Sequence, residues 1–195
     1  MRIARTLHRL ERGLLQRYYG FDRWHIGHAG ERYAADIVRC LNGWPEADRQ
    51  SVVEIGCGLG DILRRLHFRS RLGLDRDPRV LAAARLLSRF HRGTPPRFDV
   101  FDFPKALPSG AYNAIIMVNW IHEVDPDQLR EAIDAYFTRY LRPGGSVVLD
   151  TVDDPAYTYN HDVQRLAPAG AVTVHLGRYG RNRDIWVLQK AATNT

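Results

Sequence analysis

From Ser51 onward short apolar runs alternate with helical patterns, and this alternation restricts the fold more than any other feature. Strands are expected at 51–55, 71–75, 97–101, 112–118 and 145–150, and helices at 60–67, 78–90, 126–141 and 157–166. Strand followed by helix, repeated, requires right-handed crossovers and a mostly parallel sheet covered on both faces. Ala114-Ile115-Ile116-Met117-Val118 is apolar throughout, as a central strand buried on both faces demands. The stretch between the third and fourth strands carries Pro104, Pro108 and Gly110, so that crossover reads as a loop.

The end of the chain leaves the parallel rhythm. Val172 to Leu176 alternates, Arg178 to Arg183 contains a glycine turn, and Ile185 to Leu188 resumes a strand. Two strands joined so tightly must be antiparallel. Ahead of Ser51, residues 3–18 set Ile3, Leu7, Leu10, Leu14 and Leu15 at helical spacing among five arginines, an amphipathic basic helix. A second helix is expected from Glu31 to Leu41, stopped by Gly43 and Pro45.

The sharpest local signal is Val53-Glu54-Ile55-Gly56-Cys57-Gly58-Leu59-Gly60-Asp61, where the first strand ends. Glycines there let the backbone turn and let a ligand approach without a Cβ in the way. Dinucleotide folds space these glycines as GxGxxG, resting a pyrophosphate on the helix N-terminus. Here Gly60 comes one residue too early and the dinucleotide position holds Asp61, whose charge opposes a pyrophosphate.

The segment Glu54 to Gly60 resembles the first motif of class I S-adenosylmethionine-dependent methyltransferases. Further elements follow in that family's order: Leu72-Gly73-Leu74-Asp75, Phe101-Asp102-Phe103, Ala114 to Val124, and Leu141-Arg142-Pro143-Gly144-Gly145. The resemblance spans about residues 50–190. It implies an α/β, Rossmann-like three-layer sandwich whose mostly parallel seven-stranded sheet ends in an antiparallel hairpin. It divides the chain into a helical cap or lid at 1–50, a cofactor-binding methyltransferase domain at 51–190 and a tail at 191–195. S-adenosyl-L-methionine is the implied cofactor, held by Glu54, Gly56, Cys57, Gly58, Gly60, Asp75, Arg76, Asp102, Phe103 and Asn119. Asp75 would accept hydrogen bonds from the ribose hydroxyls and Asp102 would meet the adenine amino group. Physically, Asp75 follows Gly56 by nineteen residues, about what one strand–helix–strand unit needs to set a carboxylate beside a ribose. Asp77, ahead of Pro78, is the better helix cap.

Methyl transfer displaces an already activated carbon, so the protein mainly orients the acceptor and excludes water. His122, at the exit of the fourth strand, and His161, after the fifth, are the candidate general bases. Asn119-Trp120-Ile121-His122 stands where nucleic-acid amine methyltransferases carry Asn/Asp-Pro-Pro-Tyr, which argues against that subgroup and against a nucleic-acid partner. A small-molecule acceptor, methylated at oxygen, is the expectation. Tyr18, Tyr19, Trp24, His25 and His28 form an aromatic and histidine cluster that could cover the site. No metal is expected, since His25-x-x-His28 lacks further ligands.

Two cysteines, Cys40 and Cys57, make no disulfide framework, and the first residues lack a secretory signal, so a cytoplasmic location is expected. A net charge of +6, nearly all from dispersed arginine, does not select a partner. No apolar run reaches the roughly 20 residues of a membrane span, although residues 1–18 allow peripheral membrane contact. Two other readings compete: a nicotinamide-dependent oxidoreductase, and a non-catalytic methyltransferase-like binding module.

Overall fold

The computed structural model describes residues 2–26, 31–90, 93–108 and 110–192, with residues 2–9 described by backbone alone. Two helices, α1 (Arg2–Tyr19) and α2 (Arg32–Asn42), precede the sheet. There follow β1 (Ser51–Ile55), β2 (Ser70–Asp75), α3 (Pro78–Ser88), β3 (Arg97–Val100) and β4 (Tyr112–Met117). The remainder is α4 (Pro126–Arg139), β5 (Leu141–Val152), α5 (Val163–Leu166), β6 (Val172–Tyr179) and β7 (Arg183–Gln189).

The seven strands lie in the order β3-β2-β1-β4-β5-β7-β6. The first five pair in parallel, while β7 runs antiparallel to both β5 and β6. This is the expected mostly parallel sheet with its C-terminal hairpin. Alternate residues feed two apolar layers, as strand geometry dictates. Val52, Ala114 and Ile116 face α2 and α3, whose Ile37, Val38, Leu81 and Ala84 cover them. Val53, Ile115 and Met117 face α4, which brings Leu129, Ile133 and Phe137. Every residue of β4 is buried, which explains its unbroken apolar run.

An Asp-Pro pair starts both long core helices. The Asp77 side chain accepts from the Arg79 amide and that of Asp125 from the Asp127 and Gln128 amides, with Pro78 and Pro126 in the first turn. Such a cap contributes about 1 kcal/mol.

The helix expected at 60–67 is a correction: only Leu63–Arg65 form a 3-10 turn. The Asn42 side chain accepts from the His67 amide and donates to the Arg65 carbonyl, tying this stretch to the end of α2. With β2 starting at Ser70 there is no chain left for a further turn. The helix expected at 157–166 likewise shrinks to Val163–Leu166, capped by Asp162. β5 starts earlier than expected, at Leu141, because Leu141 pairs with Tyr112 across an irregularity in the ladder. Residues 101–108 and 110–111 contain no helix, as the prolines suggested.

The orientation of α1 departs from the usual amphipathic rule. Arg12 is buried and ion-pairs with Asp61, while Leu10, Leu14 and Tyr18 are 62%, 68% and 82% exposed. Leu15 and Tyr19 supply the apolar inward contact. No helix among the described residues is long and apolar enough to cross a membrane.

Ile116 is fully buried in the central strand. Ile116→Ala should cost about 2–5 kcal/mol of folding stability, read as a fall in the thermal unfolding midpoint; a shift within experimental error would contradict the placement of this core.

Candidate functional site

The sheet reverses its order at β1, which lies between β2 and β4, and a crevice opens at the carboxyl ends of these strands. Ligands of open α/β sheets bind at such switch points. The bend after β1 fills this place. Its Gly56 and Cys57 amides both donate to the Leu74 carbonyl, at 2.7 and 3.0 Å, tying the ends of β1 and β2 together.

Gly56 has φ 71°, and a Cβ there would stand 2.3 Å from the Trp120 ring. Trp120 cannot yield easily, since its Nε1–H donates to the Ile55 carbonyl at 2.7 Å. Gly58, at φ 51°, faces His25, whose Nδ1 would lie 2.9 Å from a Cβ. Glycine is required at both positions by backbone conformation and by crowding together.

The resulting cleft holds about 470 Å³, counting the part open to solvent, and is lined by the glycine bend with Trp24, His25, Tyr33, Glu54, Asp61 and Asn119. The imidazole of His25 stacks on Trp24 at 3.8 Å between ring centroids. Burial lowers the His25 pKa, against the raising influence of Asp75 and Asp77, which favours a neutral ring.

Two carboxylates, Glu54 and Asp61, line the cleft, and a third, Asp75, lies behind its glycine bend. Glu54 is buried, and one of its oxygens, Oε2, has no hydrogen-bond partner among the described residues. Burial, reinforced by the charge of Asp61, pushes its pKa well above the ordinary carboxylate range. An unpartnered buried acceptor costs about 1–3 kcal/mol, which a ligand donor could recover. Asp61 does not stand as the bare anion expected: Arg12 and Arg64 both pair with its Oδ1, at 2.5 and 2.6 Å. Asp75 is buried, with Oδ2 accepting from the Gly58 amide at 2.9 Å and Oδ1 from the Asp77 amide at 3.1 Å. It therefore braces the glycine bend. Cys57 is buried beneath the bend, and burial pushes its thiol pKa well up, so it stays protonated.

Among the other candidates, Asn119 lines the cleft with φ 72°. Arg76 is exposed. Asp102 is exposed and pairs with Lys105 at 3.2 Å. Phe101 is buried in the lower core layer, and Phe103 packs edge-on against Trp120 and Tyr136. His28 lies outside the described residues.

His122 and His161 are both buried away from the cleft lining. His161 Nε2 lies 2.9 Å from the Ile121 carbonyl, to which it donates. His122 Nε2 lies 3.1 Å from Asp150, which is fully buried, and Arg183 pairs with the same carboxylate oxygen. Asp150 Oδ1 accepts from the Asn119 amide at 2.8 Å. Arg183 in turn lies over the Tyr33 ring and donates to the Tyr157 hydroxyl at 3.2 Å. Asp150, Arg183, Tyr33 and Arg12 were not singled out from the sequence. Asp150 alone carried a signal: it interrupts an apolar strand just as Asp75 does. No group of three His, Cys, Asp or Glu side chains that could hold a metal occurs among the described residues.

Comparison with known proteins agrees with this geometry. A family model described as a methyltransferase domain matches residues 53–147. The tRNA U34 carboxymethyltransferase of Hydrogenovibrio crunogenus is 28% identical over 148 residues, covering 71% of this chain and 40% of that protein. The chain thus spans about two-fifths the length of this curated relative. Among solved structures, N-methyltransferase NodS from Bradyrhizobium japonicum WM9, in complex with S-adenosyl-L-homocysteine, has a TM-score of 0.67 at 18% identity, covering 92% of this chain and 98% of its own. SAM-bound CalS10, an amino pentose methyltransferase from Micromonospora echinaspora, has a TM-score of 0.63 at 16% identity, covering 86% of this chain and 94% of its own. These two structures share the fold.

Burial and the Arg183 charge lower the His122 pKa to about 4. A histidine buried neutral stabilises the fold fully above its unfolded pKa near 6.5, and that contribution is lost as pH falls toward the folded value. His122 ring resonances should therefore not titrate between pH 8 and 5 in NMR spectra of the folded protein; a midpoint near 6.5 would show the imidazole to be solvent-accessible.

Proposed function

We propose that the chain is a class I S-adenosylmethionine-dependent methyltransferase that transfers a methyl group to oxygen of a small-molecule acceptor, a reading supported by the methyltransferase-domain match over residues 53–147. The observation that carries the cofactor assignment is the cleft itself: a glycine bend, an unpartnered Glu54 oxygen and the Asp75 carboxylate converge at the switch point. These groups suit an adenosyl amino acid. Gly56, Cys57, Gly58 and Gly60 would give it backbone approach, Glu54 would accept from its ammonium, and Asp75 would meet the ribose hydroxyls. Asp102, Phe103 and Arg76 would flank the adenine side, and Asn119 the reacting end. S-adenosylmethionine supplies, when bound, a methyl group already activated on a sulfonium.

The protein's own part is then orientation and exclusion of water. His122 and His161 have their Nε2 atoms on internal partners, so they would hold the loops rather than take a proton. This favours an acceptor acidic enough, such as a phenol-like hydroxyl, to react without a protein base. The kinship with a tRNA U34 carboxymethyltransferase supports an RNA acceptor as the second reading.

The surface of α1 supports a contact beyond the cleft. Leu10, Leu14 and Tyr18 repeat at i, i+4 and i+8 on its exposed side, with Arg17 exposed beside them. A helix with that pattern can lie on an anionic membrane.

Isothermal titration should show S-adenosylhomocysteine binding that weakens at least tenfold, about 1.4 kcal/mol, in Asp75→Ala. Tight NADH binding with none of S-adenosylhomocysteine would overturn the cofactor assignment. An acceptor screen with radiolabelled methyl donor should label hydroxylated small molecules; label found in tRNA alone would replace them with the second reading. Leu10→Glu with Leu14→Glu should abolish co-sedimentation with phosphatidylglycerol vesicles while leaving S-adenosylhomocysteine affinity unchanged; equal sedimentation of the variant would exclude the membrane contact.

A further inference from the structure

The cluster around Asp150 lies outside the cleft lining and has no direct part in holding the cofactor. It is also costly to bury. An ion pair fully removed from water contributes little more stability than a well-packed apolar pair would, and breaking it by losing one partner is strongly destabilising. Stability alone does not account for placing Asp150 and Arg183 here. Their contacts do, because each reaches a residue on a different wall of the cleft.

On one side, Asp150 Oδ1 accepts from the Asn119 amide at 2.8 Å. Asn119 is a non-glycine residue at φ 72°, a conformation that asparagine tolerates but does not prefer. Losing that bond would free the loop after β4 to relax. His122, three residues on, is anchored by its Nε2 on the other oxygen of the same carboxylate, at 3.1 Å. Arg183 Nη1 lies 3.4 Å from the same nitrogen, so His122 Nε2 sits between the carboxylate and its counter-charge. On the other side, Arg183 on β7 neutralises Asp150 and spreads its guanidinium over the Tyr33 ring, 5.4 Å from the centroid. Tyr33 belongs to α2 and lines the cleft, as Asn119 after β4 does. The second arm of Arg183 reaches the Tyr157 hydroxyl, whose ring lies 4.7 Å from that of His122.

We propose that Asp150 is a positioning residue for the cleft: through the Asn119 amide it fixes the loop after β4, and through Arg183 it fixes Tyr33 on the facing wall. One buried carboxylate thereby sets the separation of two walls contributed by distant parts of the chain. The inference rests on the methyltransferase reading only for the identity of the probe ligand.

Two double variants test it, each removing both charges so that neither leaves a buried ion alone. Asp150→Asn with Arg183→Gln keeps an oxygen opposite the Asn119 amide. Asp150→Leu with Arg183→Met fills the volume but offers no acceptor. Both should fold cooperatively, the second with the lower unfolding midpoint because the Asn119 amide and His122 lose their acceptor. The first should bind S-adenosylhomocysteine within about threefold of the parent, and the second at least tenfold more weakly, about 1.4 kcal/mol. The Asn119 amide should exchange slowly with deuterium in the first and rapidly in the second. Equal affinity in two folded double variants would reduce Asp150 to a structural ion pair and overturn the proposal. If the parent protein binds no S-adenosylhomocysteine, the methyltransferase reading fails by itself; Asn119 exchange then decides the positioning claim, and equal protection in both variants would refute it.

Discussion

Two amides on one carbonyl hold the site together. Gly56 and Cys57 both donate to Leu74, the last residue but one of β2, so the bend after β1 cannot move independently of the neighbouring strand. Asp75 adds a third tie through the Gly58 amide. A loop fixed to the sheet in this way turns three successive left-handed glycines from a flexible stretch into a rigid cradle. Trp120, Glu54 and the crevice beside β4 take their positions from it.

Around the cradle, charge is managed by pairing rather than by exposure. Arg12 turns inward from a basic amphipathic helix to reach Asp61, Arg183 reaches Asp150, and burial pushes the Glu54 pKa well up. The first of these ties explains the orientation of α1. Arg12 lies on the face of α1 turned to the domain, and a buried guanidinium left without Asp61 would be strongly destabilising. The N-terminal segment supplies Trp24 and His25 to the cleft lining, while Leu10, Leu14 and Tyr18 are exposed.

The expected site residues fall into three groups when placed in space. Glu54, Gly56, Cys57, Gly58 and Asn119 line the cleft, Asp75 braces its bend, and Gly60 lies against Phe98 outside the lining. Asp102 and Arg76 lie exposed, with Phe103 half-buried against Trp120. His122 and His161 sit behind the lining with their Nε2 atoms on internal partners. The spacing of a histidine after a strand tells where its backbone lies but not which way its ring turns. Asp150 set that direction for His122 and the Ile121 carbonyl set it for His161, each distant in sequence from its histidine.

The sequence by itself determined the sheet, because apolar runs of strand length and Asp-Pro caps are local instructions that each segment carries alone. It determined the glycine bend too, since only glycine occupies those backbone conformations beside Trp120 and His25. The tertiary structure alone decided what faced what. The stretch 60–67 lost its helix to the Asn42 side chain, α1 turned Arg12 inward to Asp61, and Asp150 on β5 met Asn119 after β4 and Arg183 on β7. Contacts of that kind depend on pairs of residues far apart in the sequence, and no periodicity within a segment records its distant partner.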